Sequence, residues 1–86
     1  MNPFNIEHQY QAYLQRMALS EGTMHPEQRR QLRQTFFGAW GQLLVCMEEN
    51  VAELPELRAV ATLESMKMQV QHFFEVEVDK YKARNN

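Results

Sequence analysis

The chain has 86 residues, of which 44% are hydrophobic, with nine basic against eleven acidic side chains. This length allows one small domain with a thin core. The slight acidic excess argues against a general nucleic-acid binder, which needs a basic surplus. The single cysteine, Cys46, excludes an intramolecular disulfide, and the longest apolar run, Leu43 to Met47, is too short for a membrane span. We therefore expect a soluble protein in a reducing cytoplasm.

The first predicted helix covers about residues 3–20. It opens with Asn2-Pro3, a capping residue followed by proline at the first helical position. Five apolar side chains then recur at helical spacing, namely Ile6, Tyr10, Tyr13, Leu14 and Met17. A polar segment, residues 20–23, ends this helix, and Gly22 is expected to take the left-handed conformation at its terminus.

The second predicted helix covers about residues 26–53 and begins at Pro26. Its apolar residues recur at steps of three and four, which indicates packing against another helix: Leu32, Phe36, Trp40, Leu43, Met47 and Val51. Gly38 and Gly41 each cost a helix about 1 kcal/mol relative to alanine. Two glycines three residues apart predict a close approach by another helix, within the chain or between subunits. The predicted contact residues are Phe36, Gly38, Trp40 and Gly41.

The third predicted helix covers about residues 56–82 and follows the break at Leu54-Pro55. Residues 74–79 alternate apolar and acidic side chains, which is typical of a strand. A lone strand needs a partner that the rest of this chain does not offer, so we favour helix there. The sequence thus predicts an all-α domain over residues 1–86, with a short N-terminal helix and an antiparallel hairpin of two long helices. Three helices this short would leave much apolar surface exposed, so we expect a homo-oligomer.

Basic side chains crowd the predicted start of the second helix, where Arg29, Arg30 and Arg33 oppose the helix dipole. A hairpin would bring the end of the third helix, with Lys80, Lys82 and Arg84, beside them. Two interpretations remain open. The arginines form salt bridges with acidic residues of the third helix, namely Glu75, Glu77 and Asp79, or they form an anion-binding site. In the second case Tyr10 or Tyr13 could stack on a nucleobase, although tyrosines on an apolar helix face are more often core residues.

Catalytic patterns are missing from the sequence. His8, His25 and His72 lie far apart, without the spacing of a metal site, and there is no glycine-rich phosphate loop. We therefore expect no catalytic residues, no metal and no cofactor, and predict that the protein is not an enzyme.

One stretch of the chain resembles small uncharacterised phage and prophage proteins. The shared pattern is Met24-x-Pro26-x-Gln28 followed by Phe36-x-Gly38-x-x-Gly41-Gln42. The predicted architecture also resembles phage helical oligomers that sequester cyclic-nucleotide immune signals between protomers. That second resemblance concerns architecture alone, so no residue role is transferred from it.

Two functional hypotheses follow. The first is a non-catalytic, phage-type helical oligomer that sequesters an anionic nucleotide signal, with Arg29, Arg30, Arg33, Tyr10 and Tyr13 as ligand-binding residues, in the host cytoplasm. The alternative is an adaptor or inhibitor that docks a host or phage protein through its aromatic and methionine surface. The arginine cluster distinguishes them, because docking does not need it.

Overall fold

The computed structural model describes residues 2–84. Its three helices are α1, Ile6–Arg16; α2, Pro26–Glu49; and α3, Glu56–Arg84, with 3₁₀ turns at Glu21–Thr23 and Val51–Glu53. No strand occurs within residues 2–84, so the predicted all-α class is confirmed. Residues 74–79 lie within α3 and are helical, as favoured above.

The chain divides into two compact units, one ending at Cys46 and the other beginning at Met47. The first contains α1, the first 3₁₀ turn and most of α2. The second contains the last residues of α2, the second 3₁₀ turn and α3. The boundary between the two units falls inside α2, whereas the sequence predicted one domain over residues 1–86. The antiparallel hairpin stays a prediction.

Helix α1 begins three residues later than predicted because Asn5, not Asn2, caps it. The Asn5 side chain accepts a hydrogen bond from the His8 backbone N–H at 3.1 Å. Asn2 instead accepts from the Phe4 N–H at 2.9 Å, which folds the preceding residues into a turn. The Asn2-Pro3 pair is therefore a turn outside the helix, although its residue types are those of a helix start.

Helix α1 also ends earlier than predicted, at Arg16. The Leu19 N–H donates to the Leu14 carbonyl at 2.9 Å, and Ala18 takes the left-handed conformation with φ of 55°. These features close the helix in the manner of a Schellman motif. The prediction that Gly22 is the left-handed residue was wrong, since no glycine among the described residues has positive φ. The left-handed position is fixed by where the helix stops, and that point precedes Gly22.

Helix α2 ends at Glu49, four residues before the predicted end. Residues 51–53 continue only as a 3₁₀ turn, and Leu54 is extended, as the residue before Pro55 is expected to be. At the other end of the helix, the His25 ring nitrogen Nδ1 accepts from the Glu27 N–H at 3.1 Å. The break predicted at Leu54-Pro55 is therefore correct, but the turn before it, Val51–Glu53, is a 3₁₀ turn and not a continuation of α2.

Among the described residues of the first unit, the fully buried side chains are Tyr10 and Leu14, at 0% and 1% exposure. In the second unit Val51 is buried. Gly38 and Gly41 lie on the surface, and a methyl group added at either would meet no atom within 4 Å other than those of the adjoining helix backbone and its two chain neighbours. The predicted close approach at these glycines is therefore not made within the described chain. An approach between subunits stays a prediction.

Candidate functional site

The most highly connected polar side chain of the first unit is Arg33. Its Nη1 and Nη2 donate to the Glu7 carboxylate at 2.6 and 3.0 Å. Its Nε and Nη2 donate to the Glu21 carboxylate at 2.8 and 2.9 Å. One guanidinium thus binds two carboxylates, each bidentately, and joins α1, the first 3₁₀ turn and α2. This is the strongest geometry available to an arginine–carboxylate pair.

A glutamine completes this cluster, which we call the Arg33 clamp (Glu7, Gln11, Glu21 and Arg33). The Gln11 amide donates to Glu7 at 2.8 Å and to Glu21 at 3.1 Å. Hydrogen bonds from Arg33, and then from Gln11, hold the pKa of both glutamates below the ordinary value. The hydrogen bonds that Arg33 donates, first to Glu7 and then to Glu21, raise the pKa of its own guanidinium. The clamp is therefore fully ionised at neutral pH.

The Arg33 clamp should make the free energy of unfolding depend on pH in the acid range. Because both glutamates have lowered pKa values in the folded chain, their contribution is complete above the unfolded value of about 4.3. It is lost as the pH falls through the folded pKa values, since the unfolded chain then binds more protons. We expect the free energy of unfolding to fall steadily from pH 5 towards pH 3, measured by urea denaturation.

Two variants test the origin of this acid dependence. Arg33→Met removes the clamp's cation, so its pH profile should be flatter between pH 5 and pH 3. Arg58→Met removes an exposed cation that is not a member of the clamp, so it should keep the parent profile. If both variants and the parent lose stability in parallel, the clamp is not the source.

Tyr10 lies beneath the clamp. The Arg33 guanidinium carbon is 5.0 Å from the centroid of the Tyr10 ring, within range of a cation–π contact. The tyrosine is completely buried, and its hydroxyl has no hydrogen-bond partner among the described residues. Burial, followed by the nearby Glu21 charge, raises the pKa of the Tyr10 hydroxyl. Tyr10 is thus a core residue and presents no open ring face to a ligand.

An aromatic cluster joins α1 to α2 beside Tyr10. The Phe36 ring is at its centre, with centroid distances of 5.2 Å to Tyr10, 5.4 Å to Tyr13 and 5.8 Å to Trp40. All three pairs are tilted, as aromatic rings prefer to be in protein interiors. Phe36 therefore packs on α1, and Trp40 packs on Phe36 of its own helix, whereas no side chain or other helix lies within 4 Å of a methyl group at Gly38 or Gly41.

The predicted ligand residues do not form one open cluster. Arg33 is bound to the two glutamates of the clamp, and Tyr10 is buried in the core. The partners of Arg33 are Glu7 and Glu21 rather than the acidic residues of α3 that the sequence suggested. Arg30 pairs with Glu27 in its own helix, and Arg29 is exposed.

A small cleft that the sequence analysis missed lies between α1 and α2. Its volume is about 170 Å³, and its walls include the rings of Tyr13, Phe36 and Trp40 together with Gln9 and Arg16. Of the predicted ligand residues, Tyr13 lines it. The signal was present in the sequence, because residues 9, 13 and 16 share one face of a helix. A cleft this size is smaller than the roughly 300 Å³ typical of ligand pockets, so it could take one aromatic ring.

The second unit carries a different surface, which we call the α3 groove. It is a shallow groove of about 560 Å³ along the C-terminal half of α3, lined by Gln71, Phe74, Glu75, Val78 and Asp79. Phe74 and Val78 remain 46% and 49% exposed. Their row is flanked by a second row containing Glu75 and Asp79. The α3 groove is thus apolar along its floor and acidic along one rim.

Within residues 2–84, no three histidine, cysteine or acidic side chains are grouped as a metal ion would require. None of the described helices combines the length and the apolar character needed to cross a membrane. Comparison with protein-family models, with curated proteins and with solved structures gives no match.

Proposed function

We propose that this protein is a non-catalytic, homo-oligomeric helical adaptor that docks a segment of another protein in the α3 groove. The observation that carries the proposal is the exposure of α3. None of the 29 residues of this helix is buried. Exposure of 46–58% is found at Val70, Phe73, Phe74 and Val78. Contiguous apolar surface on this scale is typical of protein interaction sites.

The chemistry of the α3 groove defines the segment that fits it. Phe74 and Val78, one helical turn apart, offer an apolar row to the matching row of an amphipathic helix. Glu75 and Asp79 beside them favour lysine or arginine at the edge of the incoming helix. The partner segment is therefore amphipathic and basic. The resemblance to phage and prophage proteins supports a partner in the phage or its host cell.

Binding of two synthetic peptides tests this proposal. One is an amphipathic helix with leucines flanked by lysines, and the other has glutamates in place of the lysines. By fluorescence anisotropy, the basic peptide should bind at least about tenfold more tightly, since like charges oppose the acidic one. Phe74→Asp should abolish binding, whereas Leu57→Asp, at a site 86% exposed and outside the groove, should not. Equal binding of the two peptides, or no binding, would contradict the proposal.

The second candidate function is sequestration of an anionic nucleotide. The small cleft between α1 and α2 favours it. Tyr13 and Trp40 could hold a base between rings, and Arg16 could supply positive charge. Arg29 and Arg30 add charge on the surface of the same unit. Calorimetry with cyclic dinucleotides on the parent, Tyr13→Ala and Arg16→Ala tests it. Binding lost in both variants would favour sequestration, and no binding to the parent would remove it.

A further inference from the structure

A second exposed face runs along α2, on residues that alternate at steps of four and three. Its members, all exposed, are Arg30, Gln34, Phe37, Gly41, Leu44 and Glu48. This is the spacing of the a and d positions in a coiled coil, which lie on one side of a helix. We call these six residues the α2 face. It adjoins the face with Phe36 that packs on α1, and its own Phe37 also contacts Tyr10 of α1, with ring centroids 6.2 Å apart.

The α2 face is complementary to itself when read in the reverse direction. It begins with a basic residue, Arg30, and ends with an acidic one, Glu48. Each lies nine residues from position 39, about 13.5 Å along the helix axis. An antiparallel copy aligned on position 39 would therefore place Arg30 of one chain beside Glu48 of the other, twice.

The same alignment matches the sizes of the central side chains. Phe37 of one copy lies opposite Gly41 of the other. Phe37 is 38% exposed in the single chain, and the space beyond Gly41 is open to at least 4 Å. A large residue opposite a glycine lets two helices interlock closely. At the next level Leu44 lies opposite Gln34, whose long side chain can turn its amide to the water at the edge of the contact.

The charge pattern of α2 supports this pairing independently of the central residues. Glu48 and Glu49 end the helix, with no basic residue in its last turn, and therefore oppose the helix dipole, while Arg29 and Arg30 directly follow its first turn. When two α2 helices lie antiparallel, the acidic C-terminal end of each lies beside the N-terminal end of the other, where the helix dipole is positive. Charges that are unfavourable in one helix thereby become favourable in a pair.

We propose that two copies of this chain associate through the α2 face, antiparallel, with Arg30 beside Glu48 and Phe37 against Gly41. The proposal rests on the homo-oligomeric part of the proposed function, for which it names the contact. The resulting interface is two-fold symmetric and self-complementary.

Charge reversal tests the alignment. By sedimentation velocity, Arg30→Glu and Glu48→Arg should each raise the dimer dissociation constant about tenfold, because each creates two like-charge contacts per dimer. The double variant should return it to within about threefold of the parent, since the pairs re-form with exchanged signs. Arg29→Glu makes the same charge change one residue away and off the α2 face, so it should leave the dissociation constant within about threefold.

A size variant tests the central contact separately from charge. Gly41→Leu should leave the helical content unchanged, because space is open there, and should abolish dimerisation by blocking Phe37. A parent that stays monomeric at high micromolar concentration would overturn both the α2 pairing and the homo-oligomer. A dimer that tolerates Gly41→Leu, or that is weakened by both reversals without recovery in the double variant, would overturn the α2 pairing alone.

Discussion

Replacing Tyr10 by alanine is expected to lower the free energy of unfolding of the first unit by about 3–5 kcal/mol, the usual cost of deleting a buried aromatic side chain. Tyr10 is the largest fully buried side chain among residues 2–84. Its ring packs on Phe36 and also lies under the Arg33 guanidinium. The substitution removes the contact surface that α1, α2 and the clamp share. Urea denaturation followed by circular dichroism measures the loss.

A second change at the same position separates the ring from its hydroxyl. The hydroxyl is buried without a hydrogen-bond partner among the described residues, and such a group costs about 1–3 kcal/mol. Tyr10→Phe should therefore be as stable as the parent or more stable. Phe4→Ala, at a site 91% exposed in the same unit, is the control and should change stability by less than about 0.5 kcal/mol. A Tyr10→Phe protein that melts well below the parent would show that the hydroxyl is bonded.

The second large effect is expected at Leu14. It is 1% exposed, one helical turn after Tyr10 on α1. Leu14→Ala leaves a cavity in place of one of the two fully buried side chains among the described residues of the first unit. We expect a loss of about 2–5 kcal/mol. In a domain of this size that is a large share of the total stability, which is typically about 5–15 kcal/mol.

The matched control for Leu14 is another leucine. Leu57→Ala changes a side chain that is 86% exposed near the start of α3. Alanine has a helix propensity at least as high as leucine, so this variant should match the parent within about 0.5 kcal/mol. Thermal denaturation of both variants gives the comparison. Equal losses at the two leucines would mean that the core of the first unit is not centred on Leu14.

The all-α class and the break at Leu54-Pro55 could be predicted from the sequence, because both depend on local chemistry. Helical periodicity and the restriction that proline places on its neighbour act over a few residues. Helix ends were predicted less well. Asn2 and Asn5 are both good caps, and the choice between them depends on where the first turn packs. The left-handed residue became Ala18 rather than Gly22 because α1 ended at Arg16.

The candidate sites depended on tertiary structure. The sequence places three arginines at the start of α2, and it cannot show that Glu7 and Glu21, 26 and 12 residues from Arg33, bind that one side chain. Nor does periodicity decide which apolar residues become core, since Tyr10 and Phe74 both lie on apolar helix faces and only Tyr10 is buried. The sequence by itself determined the helices, their breaks and the charge order along α2, because these follow from neighbouring residues. Only the tertiary structure decided that Arg33 binds Glu7 and Glu21 and that α3 is exposed. Burial and ion pairing are set by residues that are distant in the chain.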